Sequence, residues 1–282
     1  NYSGELDEPT ELPVRFPISV INGSQGIAVG FAANMPQHNP TEAMKVARLL
    51  LKDPNASIKR IMSIMPGPDF KTGGVVMGTS GIKEYYETGR GSLTIRAKYR
   101  LEQGEGGKST IVFYEIPPYI SVQQCLSAIN DVLDSEEFKD SKDKKKQAKY
   151  KSMASARKAM NGISRAIDLT DFDTGNGVDF QVELKPSANP RTVLMALFQH
   201  TPLQSKFAVN NTVIYDGKPQ NVGIKALFKQ FLDFRRRCVR NVNISKKEMA
   251  EHRMKLINGI LSILLDVDKA IAIIRSSRDE DM

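Results

Sequence analysis

The sequence predicts an α+β protein in which antiparallel sheets and packed helices are followed by a long helical arm. Two segments, Ser92–Tyr99 and Asp179–Leu184, alternate with the period of two that marks strands with one polar face. From Gly223 onward, apolar residues instead recur at helical spacing almost without interruption, as in a coiled coil. We therefore expect one α+β domain at residues 1–222 and the first part of the arm at residues 223–282.

Shorter patterns predict the other elements of the α+β domain. The first predicted strand pair is a hairpin or strand-loop-strand of Ile18–Ile21 and Ile27–Val29 around Asn22-Gly23-Ser24. The second is a hairpin of Ser92–Tyr99 with Thr110–Tyr114. The predicted helices are an N-capped helix after Asn39-Pro40, a short helix at Ile82–Tyr86, a helix at Val122–Leu133 and a helix from Pro190. Gly259 is the one position in the arm where the helix is expected to be weak.

The charge balance permits a polyanionic partner. The chain has 40 Lys and Arg against 32 Asp and Glu, which gives a formal charge of +8. Trp is absent and aromatic residues are only 7% of the chain, so a platform that stacks single-stranded bases is not indicated. The backbone of duplex DNA is the better match.

Several classes of function lack their sequence signals. Cys125 and Cys238 are the only cysteines, and neither they nor His38, His200 and His252 have metal-ligand spacing. The chain has neither a GxSxG elbow nor a GxxxxGK phosphate loop, so hydrolysis of a nucleotide by this chain is not expected. No apolar run approaches the roughly 20 residues of a membrane span. The first residues also lack the basic segment followed by an apolar one that is typical of a secretion signal, so secretion is not expected. A reducing, cytoplasmic setting is the expectation.

A lysine-rich stretch lies between Lys139 and Arg165 and allows two interpretations. One is a solvated surface insertion, because runs of charge usually face water. The other is a basic helix or loop near phosphates, in which Lys144, Lys145 and Lys146 contact DNA. Arg90, Arg96 and Lys98, which lie in or after a segment with glycine turns, are further predicted phosphate contacts.

The segment NGSQGIAVG is unusual because it carries Ile27 between glycines. From the pattern alone, a core position for Ile27 is favoured. The alternative is an apolar side chain that enters between two base steps and bends the duplex. Small neighbours let the backbone approach DNA closely, and Asn22 and Ser24 therefore join the predicted DNA-binding set.

An ordered series of motifs resembles the A subunits of DNA gyrase and topoisomerase IV, from bacteria or phage. The motifs are NGSQGIAVGFAANMPQHNP, IMPGPDFKTGG, GTSGIKEYYETGRGSLTIRA, FYEIPPYI and ALFKQFLDFRRRCVRN. They cover most of the chain in the order of the family. The resemblance implies a tower domain followed by the first arm of a coiled coil, with Ile27 as the intercalating residue. It does not separate gyrase from topoisomerase IV.

The resemblance also implies what this chain leaves to others. The nucleophile of the family lies in an Arg-Tyr pair upstream of Asn1, and Tyr2 resembles a different tyrosine, so no catalytic residue is expected here. ATP and Mg²⁺ belong to a B-type partner, and the full enzyme contains two A subunits and is associated with the nucleoid. The competing hypothesis is a non-enzymatic architectural or scaffold module that packs DNA.

Overall fold

The computed structural model describes residues 2–8, 12–104, 108–139, 144–173, 177–215 and 217–276. The protein is α+β, with antiparallel sheets, packed helices and a long helix near the carboxyl end, which confirms the predicted class. The helices are α1 (Ile18–Asn22), α2 (Pro40–Lys52), α3 (Ile58–Met62), α4 (Ser80–Thr88), α5 (Val122–Asp134), α6 (Lys144–Ser152), α7 (Ala154–Met160), α8 (Pro190–His200), α9 (Ile224–Leu265) and α10 (Val267–Ser276).

The strands form antiparallel sheets. They are β1 (Ser24–Ala28), β2 (Phe31–Met35), β3 (Val75–Met77), β4 (Arg90–Arg96), β5 (Lys98–Gln103), β6 (Ser109–Glu115), β7 (Ile163–Asp168), β8 (Phe180–Leu184), β9 (Gln204–Asn210), β10 (Thr212–Tyr215) and β11 (Lys218–Asn221). The first sheet has the order β1-β2-β9-β4-β3, the second has the order β5-β6-β8-β7, and β10 pairs with β11.

Local sequence explains where the helices begin. The Asn39 side chain accepts the backbone N–H groups of Thr41 and Glu42, and Pro40 fills the first position of α2. A cap of this kind stabilises a helix by about 1 kcal/mol. Ser121 and Gln124 exchange hydrogen bonds in a capping box at the start of α5. The predicted helices at α2, α4, α5 and α8 are confirmed.

Each of the two larger sheets covers a hydrophobic core with one face. In the first sheet, Leu93 and Phe207 lie opposite each other and are buried, and the Phe70 ring lies 5.4 Å from that of Phe207. In the second sheet, Phe113 and Phe180 stack with ring centroids 6.0 Å apart. Helices α5, α7 and α8 bury their apolar sides in the same core cluster as these two rings.

The first predicted hairpin is wrong in its position. Residues 18–21 belong to helix α1, because the carbonyl of Pro17 accepts the N–H groups of Val20 and Ile21. Gly23 ends this helix with φ 66°, and a Cβ there would collide with the carbonyl oxygen of Met35. The Asn-Gly pair therefore ends a helix instead of making a hairpin turn.

Two further differences concern strand β4 and the arm. The predicted strand Ser92–Tyr99 is two strands in different sheets, because Ala97 leaves the first sheet and Lys98 begins the second. The hairpin partner of β6 is therefore β5.

In the arm, Gly259 lies inside α9, and the helix breaks at Asp266 instead. The Asp266 carboxylate accepts the N–H of Lys269 at 3.2 Å and so caps α10.

Contacts divide the chain into two units. One unit is Phe16–Lys229, and the other comprises Asn1–Arg15 with Gln230–Met282. The predicted boundary at residues 222 and 223 stays a prediction.

Many large apolar residues of α9 and α10, from Val239 to Ile274, are exposed. Their spacing is that of a coiled-coil seam. Among the described helices, none is long and apolar enough to cross a membrane.

His38 is a buried polar residue in the first unit. Its Nδ1 lies 3.1 Å from the carbonyl oxygen of Val20, and its Nε2 has no hydrogen-bond partner among the described residues. The rings of Tyr85 and Tyr86 lie 5.8 and 6.0 Å away. Burial disfavours the charged imidazolium and lowers the pKa of His38 to about 4.

This pKa shift predicts a loss of stability in mild acid. Well above pH 6.5, His38 is neutral in both the folded and the unfolded chain, so its titration does not change the free energy of unfolding. Between pH 6.5 and 4 the unfolded chain binds the proton and the folded chain does not, so about 3 kcal/mol of stability is lost in that window. Urea unfolding followed by circular dichroism should show a weaker pH dependence for His38→Gln than for wild type.

The matched control for this prediction is His252→Gln, because His252 is exposed on α9. That variant should keep the full pH dependence of the wild type. If His38→Gln and wild type lose stability in parallel between pH 6.5 and 4, the burial argument for His38 is wrong.

Candidate nucleic-acid interface

Strands β1 and β2 form a two-stranded hairpin, which we call the Ile27 hairpin (residues 24–35). The strands pair along their whole length, and Val29 and Gly30 form the turn. Gly30 has φ 81°, a left-handed conformation that glycine adopts without a steric penalty. Two glycines of the NGSQGIAVG segment thus have defined roles, since Gly23 ends α1 and Gly30 closes this turn.

The tip of the Ile27 hairpin is apolar and faces solvent. The Ile27 residue is 92% exposed, and Val29 and Phe31 are exposed beside it. The expectation from pattern alone, that Ile27 is part of the core, is therefore wrong. Leaving an isoleucine in water forgoes about 1.5–3 kcal/mol of burial energy, and an exposed apolar cluster of this kind marks a contact site.

Strand register shows which side chains share a face with Ile27. Ile27 pairs with Ala32, and Asn34 follows two residues later on the same side of β2. Asn34 in turn pairs with Asn210 on β9, and Asn210 pairs with Arg90 on β4. Directly paired residues point to the same side of a sheet, so all five belong to one face.

We call this surface the open face, because its members are partly or fully exposed while the opposite face is buried at Leu93 and Phe207. By register, its described members are Gln25, Ile27, Ala32, Asn34, Val75, Met77, Arg90, Ser92, Thr94, Arg96, Gln204, Lys206, Ala208 and Asn210. Among these residues there are three cations and no carboxylate. A face of this composition attracts polyanions, because none of its own carboxylates competes with them for the cations.

Arg96 is the most constrained of the three cations. Its Nε and Nη2 atoms donate to the Gln204 side-chain oxygen at 2.8 and 2.6 Å, and its guanidinium lies 4.6 Å from the centre of the Phe198 ring. Neither partner neutralises the charge. Arg90 and Lys206 are exposed, and no carboxylate pairs with either in the described part of the chain. All three cations are available to an anion.

Lys98 lies elsewhere, on β5 of the second sheet. It forms an ion pair of 3.0 Å with Glu115, and this hydrogen bond raises the pKa of Lys98. The Glu115 carboxylate also accepts the N–H of Gly74 at 2.7 Å. Both side chains line a cavity of about 940 Å³ that also contains Asp69 and Asp168. The structure does not bring Lys98 together with the open face.

The remaining predicted contacts fall in two places. Asn22 and Ser24 are exposed at the base of the Ile27 hairpin, where α1 ends and β1 begins. Lys144, Lys145 and Lys146 lie in α6, which packs beside α7. The side chains of Lys144 and Lys146 are outside the described residues, and Lys145 is exposed.

Metal ligation and thiol reactivity were the two kinds of chemistry that the cysteines and histidines of the described part of the chain could offer. No three His, Cys, Asp or Glu side chains come together there as ligands. Burial raises the pKa of the Cys125 thiol to about 11, so it remains protonated at neutral pH.

Lys206, Asn210 and Asn34 belong to the open face and are absent from the sequence-based predictions. Lys206 was detectable, because it occupies a polar position of the alternating run Ser205–Val209. The two asparagines were not, because their roles depend on which strands become neighbours across the sheet. Sequence spacing alone does not contain that information.

An α+β domain with antiparallel sheets that continues into a long helix is the architecture that the resemblance to type II topoisomerases implies. The chain belongs to the DNA gyrase/topoisomerase IV A-subunit family, whose family model matches residues 1–282. The family resemblance drawn from the motifs is thereby confirmed.

Individual relatives agree with the family assignment. The chain is 34% identical over 278 residues to the DNA gyrase A protein of Clostridium acetobutylicum, a match to 99% of the chain and 30% of that protein. It is 33% identical over 280 residues to the DNA topoisomerase 4 A protein of Streptococcus pneumoniae, covering 99% of the chain and 31% of that protein. The chain thus spans about a third of the length of these relatives.

The open face predicts a specific salt dependence for duplex binding. Changing both Arg90 and Lys206 to Ala should make the negative slope of log K against log salt shallower by about 2, because each phosphate contact contributes about −0.9 to it. Fluorescence anisotropy with a labelled duplex at several salt concentrations measures this slope. The matched control is Arg191→Ala with Lys59→Ala, which removes the same charges from exposed positions off the open face. Equal slopes for the two double variants would show that only net charge matters.

Proposed function

We propose that this chain supplies the DNA-binding and DNA-bending surface of the breakage-reunion subunit of an ATP-dependent type II DNA topoisomerase. The observation that carries the proposal is the exposed Ile27 side chain, which shares a carboxylate-free face with Arg90, Arg96 and Lys206. Membership of the gyrase and topoisomerase IV family supports the enzyme class.

Bending follows from two opposing energies. Insertion of Ile27 between base steps unstacks them, which costs roughly a few kcal/mol. That cost is offset because the kinked duplex exposes a wider phosphate surface to Arg90, Arg96 and Lys206. These contacts go to the backbone and carry no base information, so the surface binds duplexes with little sequence preference.

Under this proposal, the chemical steps belong to other parts of the enzyme. Two subunits of this type bend one duplex, cut both strands through tyrosine esters, let a second duplex pass and reseal the break. The cutting tyrosine, in an Arg-Tyr pair, lies outside this sequence, and Tyr2 has no catalytic role. ATP and Mg²⁺ are bound by the B-type partner, and the described residues contain no ligand cluster that fits Mg²⁺.

The peripheral lysines have a secondary place in the proposal. Lys144, Lys145 and Lys146 on α6 and the paired Lys98 would meet flanking DNA only where it extends past the open face. Asn22 and Ser24 would contact the backbone next to the inserted side chain. We place the enzyme as a whole in the cytoplasm, in association with the nucleoid.

Replacing the tip residue tests the bending role. In the complete enzyme, with the full-length subunit bound to its B-type partner, Ile27→Ala should reduce the bent fraction of a duplex and slow its cleavage by roughly tenfold or more. The reason is that the lost apolar surface is worth about 2 kcal/mol when buried between bases. Energy transfer between dyes at the two ends of the duplex measures the bend.

The same variant should leave the protein folded, since substitutions at exposed positions usually change stability by less than about 0.5 kcal/mol. Met195→Ala is the matched control, because Met195 is also exposed but lies on α8. Met195→Ala should bend DNA as wild type does. A wild-type bend in Ile27→Ala would eliminate the insertion mechanism.

The isolated chain tests the division of labour. Incubated with supercoiled plasmid and Mg²⁺, the 282-residue chain should bind the plasmid yet neither nick nor relax it. Agarose gels with and without protease treatment detect both products. Nicking that persists in a highly purified preparation would place cleavage chemistry in this chain. The competing hypothesis, a non-enzymatic architectural module, makes a different prediction. The full-length protein would then bend and compact DNA but would never cleave it.

A further inference from the structure

We propose that Asn34 and Asn210 are positioning residues that hold the Ile27 hairpin at the angle needed for insertion into DNA. The inference rests on the proposed function and adds a structural requirement to it. It starts from how weakly the hairpin is joined to its sheet. β2 and β9 share one pair of Cα partners, Asn34 with Asn210, whereas β4 and β9 share seven.

The two asparagine side chains replace the missing backbone ladder. Asn34 Nδ2 donates to the carbonyl oxygen of Ala208 at 2.6 Å, and Asn210 Nδ2 donates to the carbonyl oxygen of Ala32 at 2.6 Å. Each amide thus reaches across to the opposite strand, two residues before its partner. Ala32 is the cross-strand partner of Ile27, so the Asn210 amide holds the residue directly opposite the inserted side chain.

The orientation of the Asn210 amide is fixed from its other end. Its Oδ1 accepts hydrogen bonds from the Thr212 hydroxyl at 2.9 Å and from the Asn221 amide at 2.6 Å. Two donors at the oxygen leave only the nitrogen to face Ala32. The amide therefore links β2 to β10 and β11 in a single defined geometry.

Asn34 carries a cost that a purely structural residue would avoid. Its Oδ1 is buried and has no partner among the described residues. An unsatisfied buried oxygen is destabilising, and an apolar residue at this position would avoid that cost. The presence of asparagine is explained when its N–H donor is needed to hold the hairpin during DNA binding.

The test measures the bend with the complete enzyme, in which the full-length subunit is bound to its B-type partner. Asn210→Asp retains an acceptor for Thr212 and Asn221, replaces the donor to Ala32 by an oxygen and adds a negative charge, while Asn34→Leu removes the other donor without adding charge. Each should lower the ratio of bent to unbent complexes roughly two- to tenfold, the range for loss of one hydrogen bond. Ser92→Asp is the charge control, because it places a carboxylate on the same face, opposite Ala208 in the ladder.

Combination with Ile27→Ala separates positioning from general damage. If the asparagines act through Ile27, adding Asn210→Asp to Ile27→Ala should reduce the bend no further. Additive losses, a wild-type bend in both asparagine variants, or equal losses for Asn210→Asp and Ser92→Asp would each overturn the inference. Thr212→Val, a nearly isosteric change, should shift the bend in the same direction and covers the case in which a harsher variant unfolds.

Failure of the positioning role is distinguishable from failure of the proposed function. If Ile27→Ala reduces the bend and the asparagine variants do not, the proposed function stands and the positioning role is rejected. If Ile27→Ala itself bends DNA normally, the proposed function is rejected together with the inference built on it.

Discussion

The proposed function depends on holding the branched apolar side chain of Ile27 in water at a fixed place. Ile27 gains nothing from its solvent-exposed position in the free protein, and the hairpin that carries it joins the rest of the sheet through one paired position, Asn34 with Asn210. A hairpin of two strands has little stability of its own. Its geometry is set by the sheet behind it, and the asparagine hydrogen bonds are the point at which that constraint is transmitted.

The first sheet serves two purposes through its two faces. One face is buried and includes Leu93 and Phe207, which fixes the strand register because a slip of one residue would reverse every side chain. The same register places Arg90, Arg96 and Lys206 on the other face. The strand register therefore fixes both the packing of the core and the positions of the charged side chains. Electrostatic attraction by this face needs no additional element.

Sequence patterns predicted the parts of the fold whose information is local. The helix after Asn39 and the strand Phe180–Leu184 have caps or alternation that need no distant partner, and both are confirmed. Patterns failed where a local signal had two physical solutions. Asn22-Gly23 serves equally as a hairpin turn or as a helix end, and the structure uses it as a helix end in which the distant Met35 carbonyl leaves no room for a Cβ at Gly23. Whether Ile27 lies in the core or at the exposed end of a hairpin likewise depends on which distant strands pair, and local sequence does not contain that information.

Unstacking of bases by Ile27 is tested most directly by the fluorescence of 2-aminopurine placed at successive positions in the bound duplex. The fluorescence should rise sharply at one step on each side of the cleavage site with wild-type enzyme and stay at the stacked level with Ile27→Ala. A duplex that bends without a fluorescence rise at any position, or a rise that persists in Ile27→Ala, would contradict the account.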